Sequence, residues 1–157
     1  MASAAPVYFG GSCAIDSGNR AATIDALRMK CTGDEALAVY KAAPRGAVPQ
    51  GVKDGWVTHT SAAALVAPAI WSGKTFHTGP NGGYLTNRTA IGDQWRADVY
   101  TTPSRIDGRP TWLLDYGSSP TPALYDEIRE VVPGVWFGYS LMRDAGSGTV
   151  LLSFVLA

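Results

Sequence analysis

The stretch YDEIREVVPGVWFGY, residues 125–139, carries Asp126, Glu127, Arg129 and Glu130 next to an apolar run. These residue types can do chemistry. A carboxylate in an apolar pocket has its pKa raised and can serve as general acid or base. An arginine beside it can stabilise developing negative charge or grip a carboxylate with two parallel hydrogen bonds. Asp115, in RPTWLLDYG, is a second acid within cross-strand reach. Asp115, Glu127 and Arg129 are therefore the candidate catalytic residues. Trp71, Lys74, Tyr116, Arg129 and Phe137 are the candidate ligand-binding residues, with Arg129 the anchor for a ligand carboxylate or carbonyl.

Other chemistries find little support. The two histidines, His59 and His77, have no acidic partner at metal-ligand spacing, so no metal site is expected. The glycine-rich turn after Lys74 lacks the spacing of a phosphate loop. No GxSxG elbow is present for a serine nucleophile. No cofactor is expected. Cys13 and Cys31 lie outside any CxxC or Cys/His metal pattern. Two readings of them stand: reduced thiols in a cytosol-like compartment, which is preferred, or a disulfide tying the N-terminal segment to the first helix.

The elements that must position these residues are mostly strands. Segments of alternating character begin at WVTHT and continue through GKTFHT, YLTNRTA, QWRADVYTT, RPTWLLDYG, YDEIREV, VWFGYSLMR and TVLLSFVLA. Tight-turn signals separate most of them, including Asn81-Gly82, Asp107-Gly108 and Pro133-Gly134. About eight short strands joined this way are antiparallel, and closure into an up-and-down barrel removes their exposed edges. Before them, residues 1–18 read as irregular. Asn19 caps a helix over about 20–31, and Asp34 opens a second, DEALAVYKAA, stopped by Pro44. The linker PRGAVPQGVKDG follows. A short helix, SAAALVAPAI, capped by Ser61 and limited by Pro68, separates the first two strands.

The expected fold is thus mainly β: an antiparallel, lipocalin-like barrel over residues 51–157, with a helical N-terminal extension over 1–50 packed on it in a single domain. Strand periodicity divides the side chains. Thr111, Leu113 and Asp115 share one face of their strand, and Trp112, Leu114 and Tyr116 the other. Asp126, Ile128 and Glu130 oppose Glu127, Arg129 and Val131. The second group points either into the barrel, as the polar end of a pocket, or into solvent.

Thirteen Lys and Arg balance thirteen Asp and Glu, for a net charge of zero. No basic stripe is present, which argues against nucleic acid and anionic membrane surfaces. Low net charge permits self-association into a homo-oligomer. No apolar run is long enough to cross a membrane, so a soluble, intracellular protein is expected.

The order LAVYKAAPRGAVPQGVKDGWVT, WSGKTF, DGRPTWLLDY, DEIREVVPGVWFGYSL is similar to the GXWXG-type, lipocalin-like small domains, over roughly residues 37–157. Shared features are a Trp-bearing first strand, the Trp71-Ser72-Gly73-Lys74-Thr75-Phe76 segment, and a strand carrying Asp126, Arg129 and Val131 before a strand carrying Gly138. Asp54 and Thr58 stand where that signature carries glycine. The resemblance implies a barrel that binds a small apolar molecule.

Binding of a fatty acid, isoprenoid or pigment-like molecule is therefore the leading expectation. The alternative is a cofactor-free isomerase, cyclase, dehydratase or lyase using the same barrel. A third reading is an interaction module with a filled barrel and the Ser/Pro-rich loop at 117–123 as its contact surface.

Overall fold

A computed structural model describes residues 5–60, 71–120, 122–143 and 148–157. The expected helix at 61–70 lies outside the described residues. Eight antiparallel strands form a closed barrel: β3 (Gly51–Thr60), β4 (Trp71–Gly79), β5 (Gly82–Thr89), β6 (Gly92–Pro103), β7 (Pro110–Asp115), β8 (Leu124–Val132), β9 (Val135–Arg143) and β10 (Gly148–Leu156). Each strand pairs with its sequence neighbour, and β10 closes the sheet on β3. The first of these strands begins five residues before the expected WVTHT segment, because the last five residues of the expected linker belong to the strand.

Two short strands, β1 (Val7–Tyr8) and β2 (Ala14–Ile15), pair where irregular chain was expected. Asn19 caps α1 (Arg20–Asp25), which continues as a π-helical turn over Ala26–Lys30. Thr32 and Glu35 form a reciprocal capping box at the start of α2 (Gly33–Ala42). Asp34 and Glu35 in its first turn and Lys41 in its last complement the helix dipole.

Cys13 and Cys31 are joined in a disulfide. This corrects the preferred reading of two reduced thiols. The bond fastens the β1–β2 hairpin to the entrance of α2. In the chain-entropy account an 18-residue separation gives roughly 3 kcal/mol.

Two apolar layers result. Phe76, Leu85, Leu114, Ile128 and Phe154 belong to the barrel interior. Leu27, Val39, Leu113, Phe137, Tyr139 and Val155 fill a second layer between the outer barrel wall and the N-terminal elements. β9 is apolar on both faces because it contributes to both layers. One end of the barrel is sealed by the chain that enters β3. There the indoles of Trp112 and Trp136 donate to the carbonyls of Gly46 and Ala47 at 3.1 and 2.8 Å, and Val48 packs with the interior residues. Glu130 fastens the same chain through the Ala47 N–H, and its other oxygen accepts from Gly134 N–H in the β8–β9 turn. Gly134 has a left-handed backbone (φ 82°), as the second residue of a Pro-Gly turn requires.

Candidate functional site

Inside the barrel, toward the end opposite that seal, five polar side chains converge. Lys74 on β4 donates to Asp126 Oδ2 at 2.9 Å, to Asn87 Oδ1 at 2.8 Å and to the Tyr116 hydroxyl at 2.6 Å. Asp126 on β8 also accepts from Ser140 on β9 at 2.6 Å. The Tyr116 hydroxyl accepts from Asn87 Nδ2 at 2.9 Å and donates to Asp126 at 3.2 Å, the longest bond of the set. Trp71 closes the group, its indole N–H donating to Asn87 Oδ1 at 2.9 Å. Lys74 and Asp126 are each only 3% exposed.

The ammonium of Lys74 sits among rings. Its Nζ lies 5.3–5.4 Å from the centres of Trp71, Tyr116 and Phe154, within the range where a ring face attracts a cation. Burial alone would push the ammonium pKa down. Asp126 and Tyr116 outweigh it and hold the value above its ordinary 10.5, so Lys74 is charged. Burial, reinforced by Asp126, pushes Tyr116 up to about 12, so its hydroxyl is protonated.

Two departures from regular strand geometry assemble the cluster. Trp71 and Lys74 are three apart and would face opposite sides of a regular strand. The register shifts between Trp71 and Gly73, so one extra residue is accommodated and both side chains turn inward. Gly73 has φ 147°, and a Cβ there would meet the Lys53 carbonyl. On β6, Trp95 is the one described non-glycine residue with positive φ, at 47°. It lies where the β5–β6 register shifts, and its carbonyl accepts from Asn87 Nδ2 at 2.9 Å. A left-handed non-glycine residue costs of order 1–3 kcal/mol. Asn87 thereby has both donors and its acceptor oxygen engaged.

Of the residues singled out by sequence, Trp71, Lys74 and Tyr116 meet here. The others lie elsewhere. Glu127 and Arg129 point away from the interior, yet both are fully buried because the helical layer covers them. They are neither in the barrel nor in solvent. All five guanidinium donors of Arg129 are used: two on Asp107 at 2.7 Å each, and the rest on the carbonyls of Tyr40, Arg109 and Pro110, with both terminal nitrogens serving two acceptors each. No donor is left to anchor a ligand carboxylate. Hydrogen bonds from Arg129 lower the Asp107 pKa to about 2. Glu127 accepts from Tyr40, Ser104 and the Arg105 N–H. Phe137 packs in the outer layer against Tyr139. Asp115 is on the outer wall, bound by Arg143 at 2.5 Å and by the Tyr100 hydroxyl at 2.6 Å. A cleft of about 220 Å³ opens on this wall between Tyr100, Arg105, Leu113, Glu127 and Arg143.

Sequence reasoning did not single out Asn87, Asp126 or Ser140 as site residues. A usable signal was present for Asp126, which shares a face with Ile128 and pairs across with Leu114, a residue on the Trp112/Tyr116 face. Among the described residues no three His, Cys, Asp or Glu side chains are placed to hold a metal. No described helix is long and apolar enough to cross a membrane.

No family model matches the chain, and no curated protein does. Among solved structures, the crystal structure of a protein from Thermomonospora curvata matches with a TM-score of 0.60 at 17% identity, covering 90% of this chain and 97% of that one. At that identity the likeness concerns the fold alone.

Proposed function

We propose that this barrel binds a small, mainly apolar molecule in its interior, with the polar part of the molecule at the Lys74–Tyr116–Asn87–Asp126 cluster. One observation carries the reading: a buried ion pair with a hydrogen-bonded retinue stands in an otherwise apolar interior. Stability does not account for it, because replacing a buried pair with apolar residues of similar volume is often neutral or stabilising. An apolar cavity with a few convergent polar groups is the usual make-up of a small-molecule site. The opposite end is sealed by the chain entering β3, so entry is from the Trp71 end. The resemblance to the GXWXG-type domains is compatible with this reading, since the Trp71–Phe76 segment supplies two members of the cluster. An isomerase or lyase using Asp115, Glu127 and Arg129 in the interior is not supported by their position on the outer face.

Titration with isoprenoid, acyl-chain and polycyclic compounds, followed by tryptophan fluorescence, tests the proposal. Saturable quenching by at least one class is expected, and Trp71→Phe should remove most of the signal change. Absence of saturable binding across all classes overturns it. The Cys13–Cys31 bond further supports maturation in an oxidising compartment, in place of the cytosol-like one expected from reduced thiols.

A further inference from the structure

The charge balance of the interior cluster restricts what it can bind. Resting on the reading above, we infer that the ligand carries an uncharged hydrogen-bond acceptor, a carbonyl or hydroxyl oxygen, and not a carboxylate, and that Tyr116 is the residue that recognises it.

Lys74 and Asp126 are the described charged residues bonded within the cluster, and they neutralise each other at 2.9 Å. All three ammonium protons of Lys74 are already donated. A carboxylate entering beside them would meet no uncompensated cation. It would lose its hydration and sit next to the Asp126 carboxylate, and an unpaired charge in a low-dielectric site is very costly. A fatty acid, one of the ligands expected from the sequence, is therefore a poor match.

A neutral oxygen faces no such cost, and one donor in the cluster can serve it. The Tyr116 hydroxyl proton goes to Asp126 at 3.2 Å, whereas the other bonds of Asp126 are 2.9 Å from Lys74 and 2.6 Å from Ser140. The Tyr116 bond is the least favourable of the three, longer than the usual range for an O–H donor. Turning that proton from Asp126 to a ligand oxygen leaves Asp126 with two charge- or hydroxyl-donated bonds. Asn87 meanwhile keeps the phenol in place through its Nδ2. The apolar remainder of the ligand lies against Phe154, Leu114 and Ile128, which share the interior.

The experiment compares an alkane, a methyl ketone, a primary alcohol and a carboxylate of one chain length, with dissociation constants from tryptophan fluorescence at pH 7. The ketone and alcohol are expected to bind at least about tenfold more tightly than the carboxylate. Tyr116→Phe should weaken the ketone by about tenfold and leave the alkane unchanged, the loss corresponding to one hydrogen bond. Asp126→Asn leaves the Lys74 charge uncompensated and should raise carboxylate affinity above that of the ketone. Tyr116→Phe is close to isosteric, so the test survives if Asp126→Asn fails to fold. Tightest binding of the carboxylate by the unaltered protein overturns the inference, as does ketone affinity unchanged in Tyr116→Phe. Failure of all four compounds to bind overturns instead the interior-binding reading on which the inference rests.

Discussion

Asp126 and Arg129 are three residues apart on β8 and face opposite sides of one sheet. Both belong to buried ion pairs, but the surroundings differ. Arg129 lies between the barrel wall and the helices, and its bonds reach three other segments: Tyr40 in α2, Asp107 and Arg109 in the β6–β7 turn, and Pro110 at the start of β7. Its ring contact is also with α2, the guanidinium lying 4.3 Å from the centre of Tyr40. The partners of Asp126 are side chains of the barrel wall itself, on β4 and β9 and just past the end of β7. The first pair ties one layer to another. The second joins barrel segments that the backbone ladder already holds together. A charged group whose removal would separate layers has a structural explanation, while one that only decorates the interior calls for a ligand.

That contrast is broken first by Arg129→Met. It leaves the Asp107 carboxylate and three carbonyls without their donor. Loss of one partner from a buried pair costs about 3–5 kcal/mol, read as a lower urea midpoint. Ligand affinity of the folded fraction should not change, because Arg129 has no access to the interior. An equal fall in affinity would erase the distinction between the two faces.

The Cys13→Ser/Cys31→Ser variant is next. It should lose about 3 kcal/mol by the chain-entropy account. The loss should concentrate in the outer layer, since Cys13 and Cys31 both belong to that cluster and not to the interior one. Hydrogen exchange should quicken in α1 and α2 before it quickens in β4–β6. Uniform loss of protection would show that the layers unfold as one unit.

A smaller effect appears in acid. The Asp107 pKa falls from its ordinary 3.8 to about 2 through the hydrogen bonds from Arg129. A carboxyl with a depressed folded-state value stabilises the fold fully above about pH 4 and loses that contribution as pH falls toward 2. Asp107→Asn should flatten the part of the acid-unfolding profile between those values. A profile unchanged by the substitution would mean the pair contributes nothing measurable.

Much of this architecture could be read from residues before any coordinates. Period-two alternation and the turns at Asn81-Gly82, Asp107-Gly108 and Pro133-Gly134 led to eight strands and a barrel. Alternation sorts side chains into two faces but does not say which face is inside. In β8 and β9 both faces are buried, so the usual polar/apolar contrast is lost, and alternation offers only solvent or pocket for Glu127 and Arg129, whereas the N-terminal helices cover them. The shared inward direction of Trp71 and Lys74 depends on the extra residue at Ser72–Gly73. Regular periodicity cannot represent that, and Gly73 alone hinted at it. Asn87 carries no pattern at all. Its role follows from the turned carbonyl of Trp95, a backbone conformation that residue type does not announce.

The smallest stability effect is expected at the interior ion pair, where ligand selectivity still responds. Lys74→Met with Asp126→Leu removes both charges together and replaces them with side chains of comparable size. Neither partner is left uncompensated, so the cost of burying an ion pair vanishes with the attraction that offset it. The two terms are of similar size in low dielectric, and such exchanges in other proteins are neutral or stabilising. Tyr116 and Asn87 lose Lys74 as a partner but keep their mutual bond at 2.9 Å, and Asn87 keeps the Trp71 indole. The net change in unfolding free energy should therefore lie within about 1 kcal/mol of zero. Selectivity should respond differently. With the ion pair gone, nothing opposes the Tyr116 proton turning to a ligand oxygen, and nothing charged orders the ring cage around it. The preference for ketone over alkane should shift by at least about threefold, against a near-constant urea midpoint. A loss of several kcal/mol would instead make Lys74 and Asp126 a second structural tie, and the two faces of β8 would then differ in location alone.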